Sequence, residues 1–473
     1  MARAFKACDV RGVYPGEIDE EAVCRMGRAI GTVLDGKPVV VGGDVRLSTP
    51  SLKGAVVKGL AGSGCPVVDI GIVPTPAFYF AKGRLGTRGG VMVTASHNPP
   101  EYNGFKIVLG DLPITEKELA HIRDLAAAGK FAAGEGAVTQ RDVLPDYEAW
   151  LVEAGKNLIG EMERVPEIVI DCGNGCYSDV APRVFERLSI PYVPLFCEAD
   201  GSFPNRSPNS AVAANLTALA GAVAREGADL GVAFDGDGDR VSFVDERGTF
   251  LAADQAIGII ARYMPDGLHA RDKVVLDQKC SAAVAELVSA MGAVPLMERS
   301  GHTFIKTRMI TESARFGGEI SGHLFYRELG GGDDGLYSAI LMTGIVGLRG
   351  PLSKLAGELP SYATTPEIRV HIQADPAMLD AIANGFPPDR VSRLDGVRVQ
   401  FEDGWGLARM SVTEPVMTLR FEGRDNKALR RIMEEFLAPV PELRDRVMDR
   451  ESKVKGRKSK VESRDSEVES VEE

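Results

Sequence analysis

One short pattern is written three times along this chain. Val39-Val40-Val41-Gly42-Gly43-Asp44 is an apolar run ending in a glycine-bearing turn. A helix-like stretch from Ser51 to Leu60 follows, and then a second short strand, Val67-Val68-Asp69-Ile70. Ile168-Val169-Ile170-Asp171-Cys172-Gly173 starts a second copy, with a helix near 180–188 and a strand at 192–196. Val274-Val275-Leu276-Asp277 starts a third, with a helix at 281–291 and a strand at 294–297. Buried strands read as unbroken apolar runs, and alternation of strand, helix and strand implies parallel α/β units. The copies start too far apart for a solenoid, so each fits a domain of its own. Ligands usually bind such sheets at the loops following the strand ends.

The region from about 365 to 445 reads differently. Short alternating strands at 367–372, 396–401 and 416–421 precede a helix at 426–437, which predicts a small α+β domain. A chain of 473 residues is too long for one core and suits three or four domains. Beyond Arg450 the chain is rich in Lys, Glu and Ser and lacks aromatic residues. Such a segment cannot bury enough apolar surface to order itself, and disorder is expected there. A formal charge of −12 argues against nucleic acid as a partner, so an anionic ligand would need a locally basic pocket. There is no apolar run long enough to span a membrane, and Met1 to Lys6 lack the apolar core of a signal peptide. Cys172 and Cys176 have no second cysteine pair with which to complete a zinc site. The expectation is free thiols in a cytoplasmic protein.

Two segments carry the strongest chemistry. Thr94-Ala95-Ser96-His97-Asn98-Pro99 follows the apolar run Gly90–Val93, and Asn98 and Pro99 suit a turn that holds Ser96 outside the sheet. A serine hydroxyl is a weak nucleophile unless a base or metal assists it, and a phosphoserine stores a transferable phosphoryl group. Asp235-Gly236-Asp237-Gly238-Asp239-Arg240 follows the apolar run 230–234, and its glycines let neighbouring carboxylates converge on a hard cation such as Mg2+. An EF-hand loop would also find its twelfth ligand at Glu246. However, Val241–Val244 reads as a strand where an EF-hand would approach its second helix. Arg240 is placed to neutralise phosphate. Lys106, in Asn103-Gly104-Phe105-Lys106, suits a proton carrier or a phosphate clamp. Gly318-Glu319-Ile320-Ser321-Gly322-His323 offers groups for vicinal sugar hydroxyls, with a histidine that titrates near neutrality. Arg409-Met410-Ser411-Val412-Thr413-Glu414-Pro415 reads as a phosphate cradle on a turn. Arg11, Lys279 and His302 add basic groups near predicted loops.

In this order the motifs resemble those of the α-D-phosphohexomutase family, in particular its bacterial phosphomannomutase/phosphoglucomutase branch, over about residues 5–445. The resemblance implies three related mixed α/β domains plus a smaller α+β C-terminal domain around a central cleft. The corresponding divisions are 1–145, 146–253, 254–364 and 365–448, with 449–473 a disordered charged tail. It also implies that Ser96 is the phosphorylated serine and that Asp235, Asp237 and Asp239, with Ser96, bind Mg2+. Lys106 and His323 match the acid–base candidates. Glu319 and Ser321 match the sugar-hydroxyl ligands, and Arg409, Ser411, Val412 and Thr413 the phosphate loop. Arg11, Arg240, Lys279, His302 and His323 match substrate contacts. Val412 stands where relatives commonly have Gly or Asn, and Cys8 stands where a Tyr is usual. The implied reaction interconverts hexose 6-phosphate and hexose 1-phosphate of mannose or glucose through a hexose 1,6-bisphosphate. Phosphoglucosamine mutase, a phosphoserine-dependent phosphohydrolase and a silent sugar-phosphate-binding protein are the alternatives. Sugar phosphates are the expected partners, and the oligomeric state is left open.

Overall fold

The computed structural model describes residues 4–6, 8–371, 375–410 and 416–447. The described residues form two compact units, divided after Pro360, with residues 281–283 counted in the second.

The threefold pattern becomes three sheets with one shared topology in the first unit. The repeated opening strands are Val39–Gly43, Ile168–Asp171 and Lys273–Asp277. Each pairs in parallel with the second strand of its own copy: Val67–Ile72, Tyr192–Leu195 and Val294–Glu298. On its other side each pairs in parallel with a later strand: Gly89–Val93, Leu230–Phe234 and Phe316–Gly318. That later strand then turns back as a hairpin into an antiparallel neighbour: Tyr102–Val108, Val241–Asp245 and Leu324–Tyr326. The predicted parallel units are therefore the inner strands of mixed sheets. Of the returning strands only Val241–Asp245 was read as a strand; Tyr102–Val108 and Leu324–Tyr326 are buried too and lack an alternating signature. Val10–Val13 and Val138–Gln140 extend the first sheet at its two edges, and Gly332–Asp333 extends the third.

A continuous apolar cluster runs through all three sheets, from Phe78 and Met92 through Ile170 and Phe234 to Ile257 and Phe316. Each large side chain so buried contributes roughly 1.5–3 kcal/mol of transfer free energy. The helix Gly335–Arg349 is buried on every face over most of its length, as its nearly uniform apolar sequence requires. Asp334 caps it by accepting from the backbone N–H groups of Leu336 and Tyr337. The same carboxylate accepts from the hydroxyls of Tyr147 at 2.7 Å and Tyr177 at 2.9 Å, tying the helix to two distant parts of the chain.

The second unit is an antiparallel sheet in the order 363–364, 416–423, 404–410, 397–401 and 391–392, with Ile368–His371 also paired to Val416–Gly423. The amphipathic helix Asn426–Leu437 covers it, buried through Ile432, Met433 and Phe436. Arg409 differs from expectation. It lies within the strand Gly404–Met410, opposite Thr418, because the apolar Trp405–Ala408 stretch carries the ladder that far. Ser411, Val412, Thr413 and the charged tail lie outside the described residues. Among the described residues, no helix is long and apolar enough to cross a membrane, and all seven cysteines are free thiols.

Candidate active site

The three hairpin connections carry the chemistry. The first follows Gly89–Val93. There Ser96 sits in the left-handed region at φ 50°, a conformation that turns its side chain off the sheet, and its backbone N–H donates to Thr94 Oγ1 at 2.8 Å. Arg46 holds this strained turn from beneath. Its buried guanidinium donates to the carbonyls of Ser96, Asn98, Pro99 and Tyr102 at 2.6–2.9 Å, and Asp44 pairs with it at 3.1 Å. Arg11 donates to Asn98 Oδ1 and to Asp9, both at 2.6 Å, steadying the same turn from the other side.

The second hairpin joins Phe234 to Val241 and buries Asp235, Asp237 and Asp239. Gly236 is required there for close approach: a Cβ on it would stand 2.6 Å from the Ser96 carbonyl oxygen. The two turns therefore touch, and Ser96 Oγ donates to Asp235 Oδ2 at 2.7 Å. Asp237 accepts from Thr75 Oγ1 at 2.7 Å, Thr94 Oγ1 at 3.2 Å and Lys106 Nζ at 2.8 Å, all through Oδ2. Lys106 also contacts Asp239 Oδ2.

The fit to a divalent cation is good. One oxygen from each of the three aspartates lies within 4.8 Å of the others, and Asp237 Oδ1 and Asp239 Oδ1 are buried without a hydrogen-bond donor. Burial, and then the charges of Asp237 and Asp239, push the Asp235 carboxyl up to about 8. At Asp237 and Asp239 burial is outweighed by the charge of Lys106 and both carboxyls are lowered, so the uncompensated negative charge falls on Asp235, where a divalent cation would relieve it. Burial also disfavours the charge on Lys106, but Asp237 and Asp239 outweigh it and hold the ammonium well above the ordinary lysine range.

The third hairpin carries Glu319, Ser321 and His323. Ser321 Oγ donates to Glu319 Oε1 at 2.8 Å, while Glu319 Oε2 is buried without a donor. Arg240 Nε donates to His323 Nε2 at 2.9 Å, so that nitrogen presents its lone pair and the ring proton belongs on Nδ1, which lies 2.6 Å from Asp333 Oδ2. Burial opposes a second proton on His323, but Asp239 and Asp333 favour one and raise its pKa. His302 stacks on His323 with centroids 5.8 Å apart. Burial, then Lys106 and His323, push His302 down to about 4, leaving it neutral near pH 7. The Lys279 backbone N–H donates to Asp277 Oδ1 at 3.0 Å, and the Lys279 charge helps lower the Glu319 carboxyl, whose burial acts the other way.

The structure thus brings Ser96, Lys106, the three aspartates, Arg240 and His323 into one buried network, with Arg11, Lys279, His302, Glu319 and Ser321 around it. Arg409, in the second unit, pairs with Asp395 at 3.0 Å. The sequence reading missed Arg46, Thr75, Thr94 and Asp333. Only Thr94 carried a local signal, as the residue opening the serine motif.

The chain also resembles known proteins over most of its length. Residues 2–133, 152–248 and 252–362 match the phosphoglucomutase/phosphomannomutase α/β/α domains I, II and III, and residues 364–438 match the C-terminal domain of the same family. A phosphomannomutase/phosphoglucomutase of Pseudomonas aeruginosa is 39% identical over 92% of this chain and 95% of its own length. A phosphoglucomutase of Neisseria gonorrhoeae is 34% identical over 92% of this chain and 96% of its own. The crystal structure of a phosphoglucomutase/phosphomannomutase family protein from Burkholderia thailandensis superposes with a TM-score of 0.84 at 35% identity, covering 93% of this chain and 97% of that one. With all four domains matched and the three hairpins converging on one network, the chain belongs to the phosphoglucomutase/phosphomannomutase family.

Proposed function

We propose that this enzyme interconverts hexose 6-phosphate and hexose 1-phosphate of mannose and glucose by way of a phosphorylated Ser96. The observation that carries the reading is the 2.7 Å hydrogen bond from Ser96 Oγ to Asp235, made across two hairpins beside carboxylate oxygens that lack donors. The names of the relatives, phosphomannomutase/phosphoglucomutase and phosphoglucomutase, support both sugars.

In this reading the Ser96 Oγ–phosphorus bond breaks as a bond forms between phosphorus and the free hydroxyl of the sugar phosphate. The resulting hexose 1,6-bisphosphate turns over, and its other phosphate returns to Ser96. Asp235, Asp237 and Asp239 would hold Mg2+, which when bound neutralises charge on the transferring phosphoryl oxygens. Arg240 lies where it adds positive charge beside Asp235, with Nε 3.9 Å from Oδ2. Lys106 and His323 are the proposed carriers of the hydroxyl proton. His323 is positioned by Asp333 and must part from Arg240 at Nε2 to act, as Lys106 must loosen its contacts with Asp237 and Asp239. Glu319, through its unpaired oxygen, and Ser321 are proposed to hold sugar hydroxyls, with Arg11, Lys279 and His302 as further substrate contacts. Arg409, with Ser411, Val412 and Thr413, offers a guanidinium and hydroxyls to a phosphate. The domain limits proposed are 1–145, 146–253, 254–364 and 365–448.

Ile320 supplies no polar group to favour a 2-amino sugar. Likeness to N-acetylglucosamine-phosphate mutases is at 12–13% identity and extends to the fold alone. A panel of mannose, glucose and glucosamine 1-phosphates, each with Mg2+ and with excess chelator, tests the proposal. Comparable kcat/KM for mannose and glucose, slow glucosamine turnover and no turnover in chelator are expected. Free phosphate released without a 6-phosphate product would replace the mutase reading with a phosphohydrolase.

A further inference from the structure

Behind Lys106, away from the serine and the aspartates, lies a cavity of about 190 Å3. It shares only Lys106 and His302 with the network described above; Ser96, the three aspartates, Arg240 and His323 do not line it. Its walls come mainly from the helix Thr75–Leu85, the end of the strand Tyr102–Val108 with the segment after it, and the helix His302–Thr311, with Cys8, Leu329 and Gly330 completing them. Two further lysines, Lys82 and Lys306, face into it. Neither makes a salt bridge among the described residues. Lys306 lies 3.2 Å from the centroid of the Tyr79 ring. An ammonium drawn partly out of water is costly, and two such groups line one cavity whose one carboxylate, Asp111, is exposed and pairs with Arg88 at 3.7 Å, so they create a positive potential that a small anion relieves.

We propose that this cavity is a second oxyanion site, adjoining the catalytic centre at Lys106 and His302, that takes a compact dianion of the inorganic phosphate class between Lys82 and Lys306. The surrounding charges suit such a ligand. Lys306 faces Lys82 and Tyr79 on one helix, Lys106 on the neighbouring strand, and Asp333 and Asp239, of which Asp333 acts on it most strongly. Burial, with Lys106 and Lys82, brings its pKa down to about 8 against the opposing pull of Asp333. Burial likewise lowers the pKa of Lys82, with Asp111 opposing. A dianion would restore the charge on both. The cavity exceeds the roughly 30 Å3 that one liquid water occupies, leaving room for a tetrahedral ion and its hydrating waters. This proposal does not depend on which sugar the enzyme turns over.

Pyridoxal 5′-phosphate is a suitable probe because it joins a phosphate to an aldehyde. The Lys306 amine attacks the aldehyde carbon, the carbonyl oxygen leaves as water with two protons, and added borohydride delivers hydride to the resulting C=N bond, fixing the label. Peptide mapping of the full-length enzyme should find Lys306 or Lys82 labelled first, with the rate rising as pH passes through about 8. Inorganic phosphate should protect against labelling. Lys306→Met, or Lys82→Met if the first variant folds poorly, should lower phosphate-protectable labelling at least ~10-fold while leaving kcat/KM for glucose 1-phosphate within about threefold. Labelling scattered over surface lysines without phosphate protection would overturn the proposal. Protection by glucose 1-phosphate but not by inorganic phosphate would overturn it too, because the cavity would then be part of the substrate path.

Discussion

The serine hairpin and the metal hairpin occupy the same place in two sheets of the same topology, yet they solve opposite problems. The first must hold a neutral hydroxyl in a strained, outward turn, and it does so with cations: Arg46 gathers four carbonyls beneath Ser96, and Arg11 fixes Asn98. The second must crowd three anions together, and it does so with glycines and with donors borrowed from elsewhere, namely Thr75, Thr94 and Lys106. Both turns are held from outside their own sequence. One fold can therefore present a phosphoryl carrier and a cation site face to face: the scaffold stays the same, and the distant side chains determine which chemistry each turn supports.

The comparison can be broken at either turn. The largest effect is expected from Ser96→Ala, which deletes the proposed phosphoryl carrier and leaves the metal hairpin whole. Mutase activity should fall at least ~10³-fold with little change in Tm, and Mg2+ should still bind through the three aspartates, though more weakly without the Ser96 oxygen. Retained activity would show that the serine turn is only structural. Next comes His323→Ala, which should lower kcat roughly 10²- to 10⁴-fold with a smaller change in KM. Asp333→Asn should cost less and alter the pH profile of kcat, since it loosens the ring without removing it. A pure KM effect in His323→Ala would reassign the histidine to binding.

Gly236→Ala sharpens the comparison by pushing the two turns apart. The added methyl meets the Ser96 carbonyl, so Mg2+ affinity should weaken by about 10- to 100-fold while the protein remains folded. Titration calorimetry giving wild-type affinity would mean that the hairpins need not touch. The smallest effect on catalysis is expected from Arg46→Lys. An ammonium cannot reach four carbonyls, and the loss of these buried contacts should cost roughly 2–4 kcal/mol in denaturant unfolding. Activity should fall only in proportion to the loosening of the serine turn.

The legible and hidden parts of this site divide along physical lines. Ser96, the three aspartates, Arg240 and His323 stood out because their chemistry demands particular residue types at short, fixed spacings, bracketed by apolar strand runs. Arg46 and Asp333 did not, since each acts on residues far from it in the chain: Arg46 on a turn beginning at Ser96, and Asp333 on a histidine from the preceding strand pair. A lone arginine after Asp44 or a Gly-Gly-Asp-Asp turn reads as an ordinary loop until tertiary contacts give it a partner. The inner strands were readable from their apolar runs. The strand Gly404–Met410 was not foreseen, and the expected turn at Arg409 is a strand end, because Trp405 and its neighbours bury a face that carries little alternation. The same limit hid the lysine-lined cavity, whose walls come from segments far apart in the chain.

The most direct test of the account is where the enzyme carries phosphate and what becomes of it. Purified protein incubated with glucose 1,6-bisphosphate should show phosphate on the peptide containing Ser96. Adding excess glucose 6-phosphate in the presence of Mg2+ should discharge that phosphate into bisphosphate at a rate no slower than turnover. Full mutase activity with phosphate mapped only to other residues, or discharge of Ser96 slower than turnover, would contradict it.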